Sequence, residues 1–211
     1  YEWSDSFYQR VVADWTVVSD EDTAVAFVRT LREASIGIAT RTSISGAMRF
    51  GLGLLTRSPH VSTRKVLDIS GDGPNNDGDF VDEARDAALA AGLTINGLPI
   101  INDRPNRMGF PSMPDLDLYY QDCVIGGPGA FMVVARDFEA FGEAIKQKLF
   151  LEIAGLSPRE FAAVAGELGF EMPVVWNRPD NPVRPARFAG DCQIGERQSR
   201  EFWRLRQNFP D

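Results

Sequence analysis

The segment Arg64-Lys-Val-Leu-Asp-Ile-Ser-Gly-Asp-Gly-Pro-Asn-Asn-Asp-Gly78 leaves few options for the fold around it. Its apolar run (Val66, Leu67, Ile69) breaks off into small and acidic residues, then into a cluster of turn formers. A buried parallel strand ends this way when it delivers polar side chains to the rim of a sheet. In open α/β sheets, ligands sit in the crevice beyond the carboxyl ends of the strands. Asp72 stands at that edge and offers a carboxylate without crossing the core. The next segment, Phe80 to Ala91, carries Val81, Ala84, Ala88 and Ala91 at helical spacing, and Gly92 stops it. Leu93 to Ile101 is apolar again, so the whole reads as strand, loop, helix, strand: one βαβ unit.

The flanks extend this pattern. Tyr1 to Val18 reads as a strand end, a turn at Ser4-Asp5-Ser6 and a second strand rich in Val11, Val12, Trp15, Val17 and Val18. Ser19 or Asp20 caps a helix to about Arg32, with Ala24, Phe27, Val28 and Leu31 on one face. Thr42 or Ser43 caps a second helix, whose Gly46, Gly51 and Gly53 predict close packing on a neighbour. Asp115 to Val124 predicts a short helix, Ile125 to Gly129 a turn and Ala130 to Ala135 a strand; a long helix runs from Asp137 to Ala154 and ends at Gly155. After Gly155 the composition changes. Ser157 with Glu160 is a capping signature, Pro173, Pro179, Pro182 and Pro185 predict an extended strap, and Glu196 to Arg206 reads as a helix with Phe202, Trp203 and Leu205 available to dock. Arg184, Arg187, Arg197, Arg200, Arg204 and Arg206 make this tail locally basic, as for a salt-bridged clamp on an acidic body or partner. We therefore divide the chain into a main domain, 1–155, and an extension, 156–211, that wraps it or reaches a partner.

The 211 residues carry a net charge of −8, which argues against a nucleic-acid backbone as partner. No apolar stretch is long enough for a membrane-spanning helix. Tyr1-Glu-Trp-Ser reads as a processed terminus or the middle of something longer. Cys123 and Cys192 cannot make a zinc site alone. They form either a disulfide, which implies an oxidising compartment, or two buried thiols.

Four ordered motifs make the chain resemble a known family: Ile69-Ser-Gly-Asp-Gly-Pro-Asn-Asn76, Thr94-Ile-Asn-Gly-Leu-Pro-Ile100, Val124-Ile-Gly-Gly-Pro-Gly-Ala-Phe131 and Lys148-Leu-Phe-Leu-Glu-Ile-Ala-Gly155. They resemble DUF1194, a bacterial family of exported von Willebrand factor A-like proteins of unknown function, over about residues 1–155. The resemblance implies an α/β, Rossmann-like three-layer fold with a mostly parallel central sheet. It also implies a metal-ion-dependent adhesion site, where Thr42 matches a second-loop threonine and Asp72 a third-loop aspartate. The first-loop Asp-x-Ser-x-Ser is not found. In that family the first strand, first helix and most of the second strand would precede Tyr1, so the expectation is a fragment, or a strand supplied by another polypeptide. Asp68-Ile-Ser-Gly-Asp72 imitates the first-loop motif, and with Asp79 also the start of a calcium loop, but an EF-hand needs a preceding helix where Lys65-Val-Leu favours a strand.

A hard divalent cation prefers oxygen ligands; held by hydroxyls and water, it stays electron-poor and seeks a partner's acidic residue. The resemblance, with the cysteine pair, implies a non-enzymatic, periplasmic or secreted protein-interaction domain or assembly subunit, with Mg²⁺ or Ca²⁺ assisting if further ligands exist. The alternative is a metal-assisted hydrolase using the Asp72 loop. Other candidates have simpler readings. Gly126 to Gly129 lacks phosphate-loop spacing, His60 reads as a surface histidine, Asp115 and Asp117 as helix-capping groups, and Asn75 and Asn76 as turn formers.

Overall fold

A computed structural model describes the chain except residues 38–39, 103–111, 157, 168, 170–173, 177–187 and 209–211. A small antiparallel hairpin, β1 (Glu2–Trp3) and β2 (Gln9–Arg10), precedes α1 (Glu21–Glu33) and α2 (Ile44–Thr56). The βαβ unit follows as β3 (Val66–Gly71), α3 (Val81–Ala90) and β4 (Thr94–Pro99). Then come α4 (Leu116–Tyr119), a π-helical turn at Tyr120–Val124, β5 (Phe131–Val133), α5 (Phe141–Ala154), α6 (Pro158–Val164), β6 (Val174–Trp176) and α7 (Ile194–Asn208).

The sheet runs β3-β4-β5-β6, with the first three strands parallel and β6 antiparallel. This is a mostly parallel, Rossmann-like α/β fold. Period-two alternation sorts the side chains into two cores. Leu67, Ile69, Ile95 and Met132 face α2, α3 and the π-turn, while Leu98, Phe131 and Val133 face α5. Central β4 is buried at all six positions, and its two polar side chains, Thr94 and Asn96, are hydrogen-bonded there. Gly51 lets α2 close on β3, because a Cβ there would fall 2.5 Å from Leu67 Cδ1.

Local signals set the helix ends. Asp20 caps α1 by accepting the Thr23 amide at 2.8 Å, with the Thr23 hydroxyl reciprocating. Ser43 caps α2 through the Gly46 amide. Gly155 ends α5 in the left-handed region (φ 60°), where a side chain would be strained.

Three expectations are corrected. The second strand is only Gln9–Arg10; the valine-rich stretch after it forms no strand, since β-propensity without a pairing neighbour is not enough. The long helix starts at Phe141, and Asp137 instead closes a turn on the Ala140 amide. Part of the proline-rich strap, Val174–Trp176, is a sheet strand paired to β5; Pro173, Pro179, Pro182 and Pro185, like Ser157, lie outside the described residues.

Candidate functional site

The parallel strands carry their C-terminal ends to one rim, where two loops meet: 72–79 after β3 and 40–43 before α2. Two asparagines fasten them. Asn76 donates its amide to the Thr42 carbonyl at 2.8 Å and accepts the Thr42 amide on Oδ1 at 2.9 Å. Asn75, fully buried, accepts the Ser45 amide on Oδ1 at 2.9 Å and donates through Nδ2 to the Asp79 carbonyl and to Glu196. Arg41 adds an ion pair to Asp77 at 2.7 Å. Burial works to raise the Asp77 pKa, but hydrogen bonds from the Ser6 amide and hydroxyl and from Arg41 prevail and hold it below the usual value.

Thr42 and Asp72 thereby line one cleft of about 330 Å³, together with Arg41, Ser70 and Gly71. Asp72 is exposed. Below it the fully buried Tyr120 hydroxyl has no hydrogen-bond partner among the described residues and lies close to Gly71. Burial, then the Asp72 charge, push its pKa up, so it stays a neutral phenol.

This donor set does not by itself fit a resident divalent ion. Ca²⁺ takes six to eight oxygens and Mg²⁺ an octahedron built on one or two free carboxylates and water, whereas the cleft offers Asp72, a Glu2 already paired with Arg10, a few hydroxyls and the opposing Arg41 cation. Among the described residues, no three His, Cys, Asp or Glu side chains gather as a metal-binding group. The calcium-loop reading fails on geometry: Asp68 and Ser70 lie in a regular strand, and Asp79 pairs with Arg49 at 2.7 Å.

A second charged cluster sits on the α5 face. Lys148, buried, donates to Asp68 and to Glu152 (2.6 Å), and Asn96 Nδ2 donates to Glu152 at 2.7 Å. Burial and the neighbouring Asp68 carboxylate push the Glu152 pKa up to about 7. Lys148 thus draws Asp68, the one charge of β3, back onto the sheet face.

That matters because β3 is the end strand of the sheet among the described residues. The carbonyls of Lys65 and Gly71 accept from Thr94 and Ile100, so the odd-numbered residues bond to β4. By alternation, the backbone groups of Val66, Asp68 and Ser70 point away from it. Along this edge runs a cleft of about 590 Å³ walled by Trp15, Phe27, Leu31, Leu54 and Leu55. Helix α1, which lends it Phe27 and Leu31, is itself uncovered: Val25, Val28 and Leu31 are 45 to 61% exposed, and no residue of α1 is buried.

Cys123 and Cys192 form a disulfide. His60 is exposed, Asp115 makes no side-chain cap bond to α4, and Gly126 to Gly129 form a turn packed on Leu89 and Leu93. The tail clamps differently from the expected salt bridges. Arg197 pairs within the tail, with Asp191, Leu205 is half-exposed, and Arg200 and Trp203 make cation–π contacts; Arg184 and Arg187 lie outside the described residues. Sequence reading passed over Asn75, Asn76 and Glu196. Dense turn formers did mark the first two, but their partners are 30 to 121 positions away in the chain.

Comparison with known proteins gives one family. No curated protein and no solved structure matches the chain. The profile described as "Protein of unknown function (DUF1194)" matches residues 1–157, and the chain belongs to that family.

Proposed function

We propose that this chain is an exported protein-interaction domain of von Willebrand factor A-like character that binds by accepting a polypeptide strand along β3. The observation that carries the reading is the six-residue outer edge of β3, which faces an apolar cleft. Edge strands are ordinarily blunted by charge, proline or a covering element, because unpaired backbone groups template pairing. Here the strand's only charge is engaged by Lys148, and Trp15, Phe27, Leu31, Leu54 and Leu55 make most of the cleft wall, with Asp14 and Thr16 at its polar part. Strand addition supplies main-chain hydrogen bonds, and alternate side chains find pockets. One set would meet Leu54 and Leu55, the other the Asp68–Lys148 face.

A strand parallel to β3 would end beside Thr42 and Asp72. A divalent ion enters this reading only with donors from that strand. The disulfide supports an oxidising setting, periplasmic or secreted, and no helix among the described residues is long and apolar enough to cross a membrane.

The test places a photo-crosslinking amino acid at Ser70, and for comparison at exposed Glu83 on α3, in cells that make the protein. A polypeptide adduct is expected at position 70 and not at 83. An absent adduct, with the Val66, Asp68 and Ser70 amides of protein recovered from those cells exchanging at solvent rates, overturns the proposal.

A further inference from the structure

Helix α7 lays a single stripe across the rim. Glu196, Arg200 and Trp203 follow at i, i+4 and i+7, the spacing that puts side chains on one helix face. Each meets a different part of the two-loop assembly. The buried Glu196 carboxylate accepts Asn75 Nδ2 at 2.7 Å and the Val81 amide at 3.0 Å, capping α3 from a distance in a helix whose own N-cap, Phe80, makes no side-chain cap bond. Arg200 lies 4.7 Å over the Phe80 ring. Trp203 packs under the Arg41 guanidinium at 4.9 Å, and Arg41 lines the Thr42–Asp72 cleft.

The approach is close. A Cβ on Gly195 would fall 2.0 Å from the Asn75 carbonyl oxygen, so only glycine lets the helix seat here. The Cys123–Cys192 bond fixes the start of the helix to the π-helical turn, two residues before Gly195's neighbour Ile194. The whole device lies beyond the residues that the family profile matches, apart from Cys123 and the rim itself.

We propose that α7 is a disulfide-latched brace: Glu196, held in place by the Cys123–Cys192 bond, grips Asn75 and through it locks together the loops carrying Thr42 and Asp72. Reduction of that bond by a dithiol then loosens the rim. The inference rests on the rim reading only for its regulatory meaning; the mechanical part stands without a partner. In the reduction a reductant thiolate attacks the sulfur of Cys192, the less buried of the pair, and the Cys123 sulfur leaves as thiolate. The reductant's second thiolate then displaces Cys192. The dithiol becomes a disulfide, and the two cysteines gain two electrons and two protons.

The test is residue-resolved amide hydrogen exchange on the full chain, oxidised and after dithiothreitol, for the wild type, Glu196→Ala, Glu196→Gln and Glu196→Met. Reduction is expected to speed exchange at Thr42, Ser45, Asn76 and Val81 by about ten- to hundredfold more than at Ile95 to Leu98, the scale of a lost charge-assisted bond added to the global loss of the crosslink. Glu196→Ala should be fast in both redox states. Glu196→Gln keeps an oxygen acceptor and should stay protected while oxidised, whereas Glu196→Met, of similar bulk but without that acceptor, should exchange as fast as Glu196→Ala. Unchanged rim amides on reduction, or equal acceleration throughout β4, overturn the brace. Repeating the Ser70 crosslinking in both redox states separates the two readings: a rim that loosens with no adduct in either state keeps the brace and removes strand docking.

Discussion

The two ends of the chain carry amphipathic helices of similar length, 13 residues in α1 and 15 in α7, with opposite fates. Helix α1 has a well-formed capping box, yet it buries no residue and leaves Val25, Val28 and Leu31 in solvent. Helix α7 is mostly polar and has less apolar surface to offer, but it is seated by one glycine, one buried carboxylate and one covalent bond. An apolar stripe records that a helix has a use for a partner; it does not supply the partner. Specific polar satisfaction and a covalent link decide which helix docks within this chain.

Three experiments press on that contrast. The largest effect belongs to the latch. Replacing both cysteines, Cys123→Ser with Cys192→Ser, should cost about 4 kcal/mol on chain-entropy grounds for a bond spanning 69 residues, read as a lower urea midpoint. A variant of unchanged midpoint would put the seating of α7 on noncovalent contacts alone.

A smaller effect comes from pH. Burial, opposed by its hydrogen bonds and reinforced by the Asp82 charge, raises the Glu196 pKa above its ordinary 4.5. The native state therefore holds a proton that the unfolded state has released, and stability falls as pH rises from 4.5 through the raised value. Urea midpoints across that window should decline less in Glu196→Gln than in the wild type. Identical slopes would show that Glu196 titrates as it does in the unfolded chain. The smallest effect is on α1: Val28→Ser with Leu31→Ser should move stability by no more than about 0.5 kcal/mol, as for exposed positions. It should nevertheless weaken the Ser70 adduct, since Leu31 walls the edge cleft.

The sequence made local order legible and distant order opaque. The β3-α3-β4 unit was readable because its strands, helix and Gly92 stop signal through neighbours in the chain. The Val11 to Val18 stretch misled for the opposite reason: its composition suits a strand, but pairing is a tertiary fact. Val174–Trp176 was hidden among prolines, although its β-branched pair and Trp suit the strand it forms against β5. At the rim, Asp72 and Thr42 could be placed by motif, whereas Asn75 and Asn76 looked like turn residues until their partners in the 40–43 loop, α2 and α7 came into view. The Lys148–Glu152 spacing of four was a visible hint of an ion pair, and Asp68 inside an apolar strand was another; only the fold joins the two.

The covalent tie between Cys123 and Cys192 also governs how the molecule survives damage. A protease that cuts the backbone anywhere between those two residues yields two pieces that remain one particle. The terminal helix keeps its place beside the rim, so a nicked molecule retains its shape until something removes the bond.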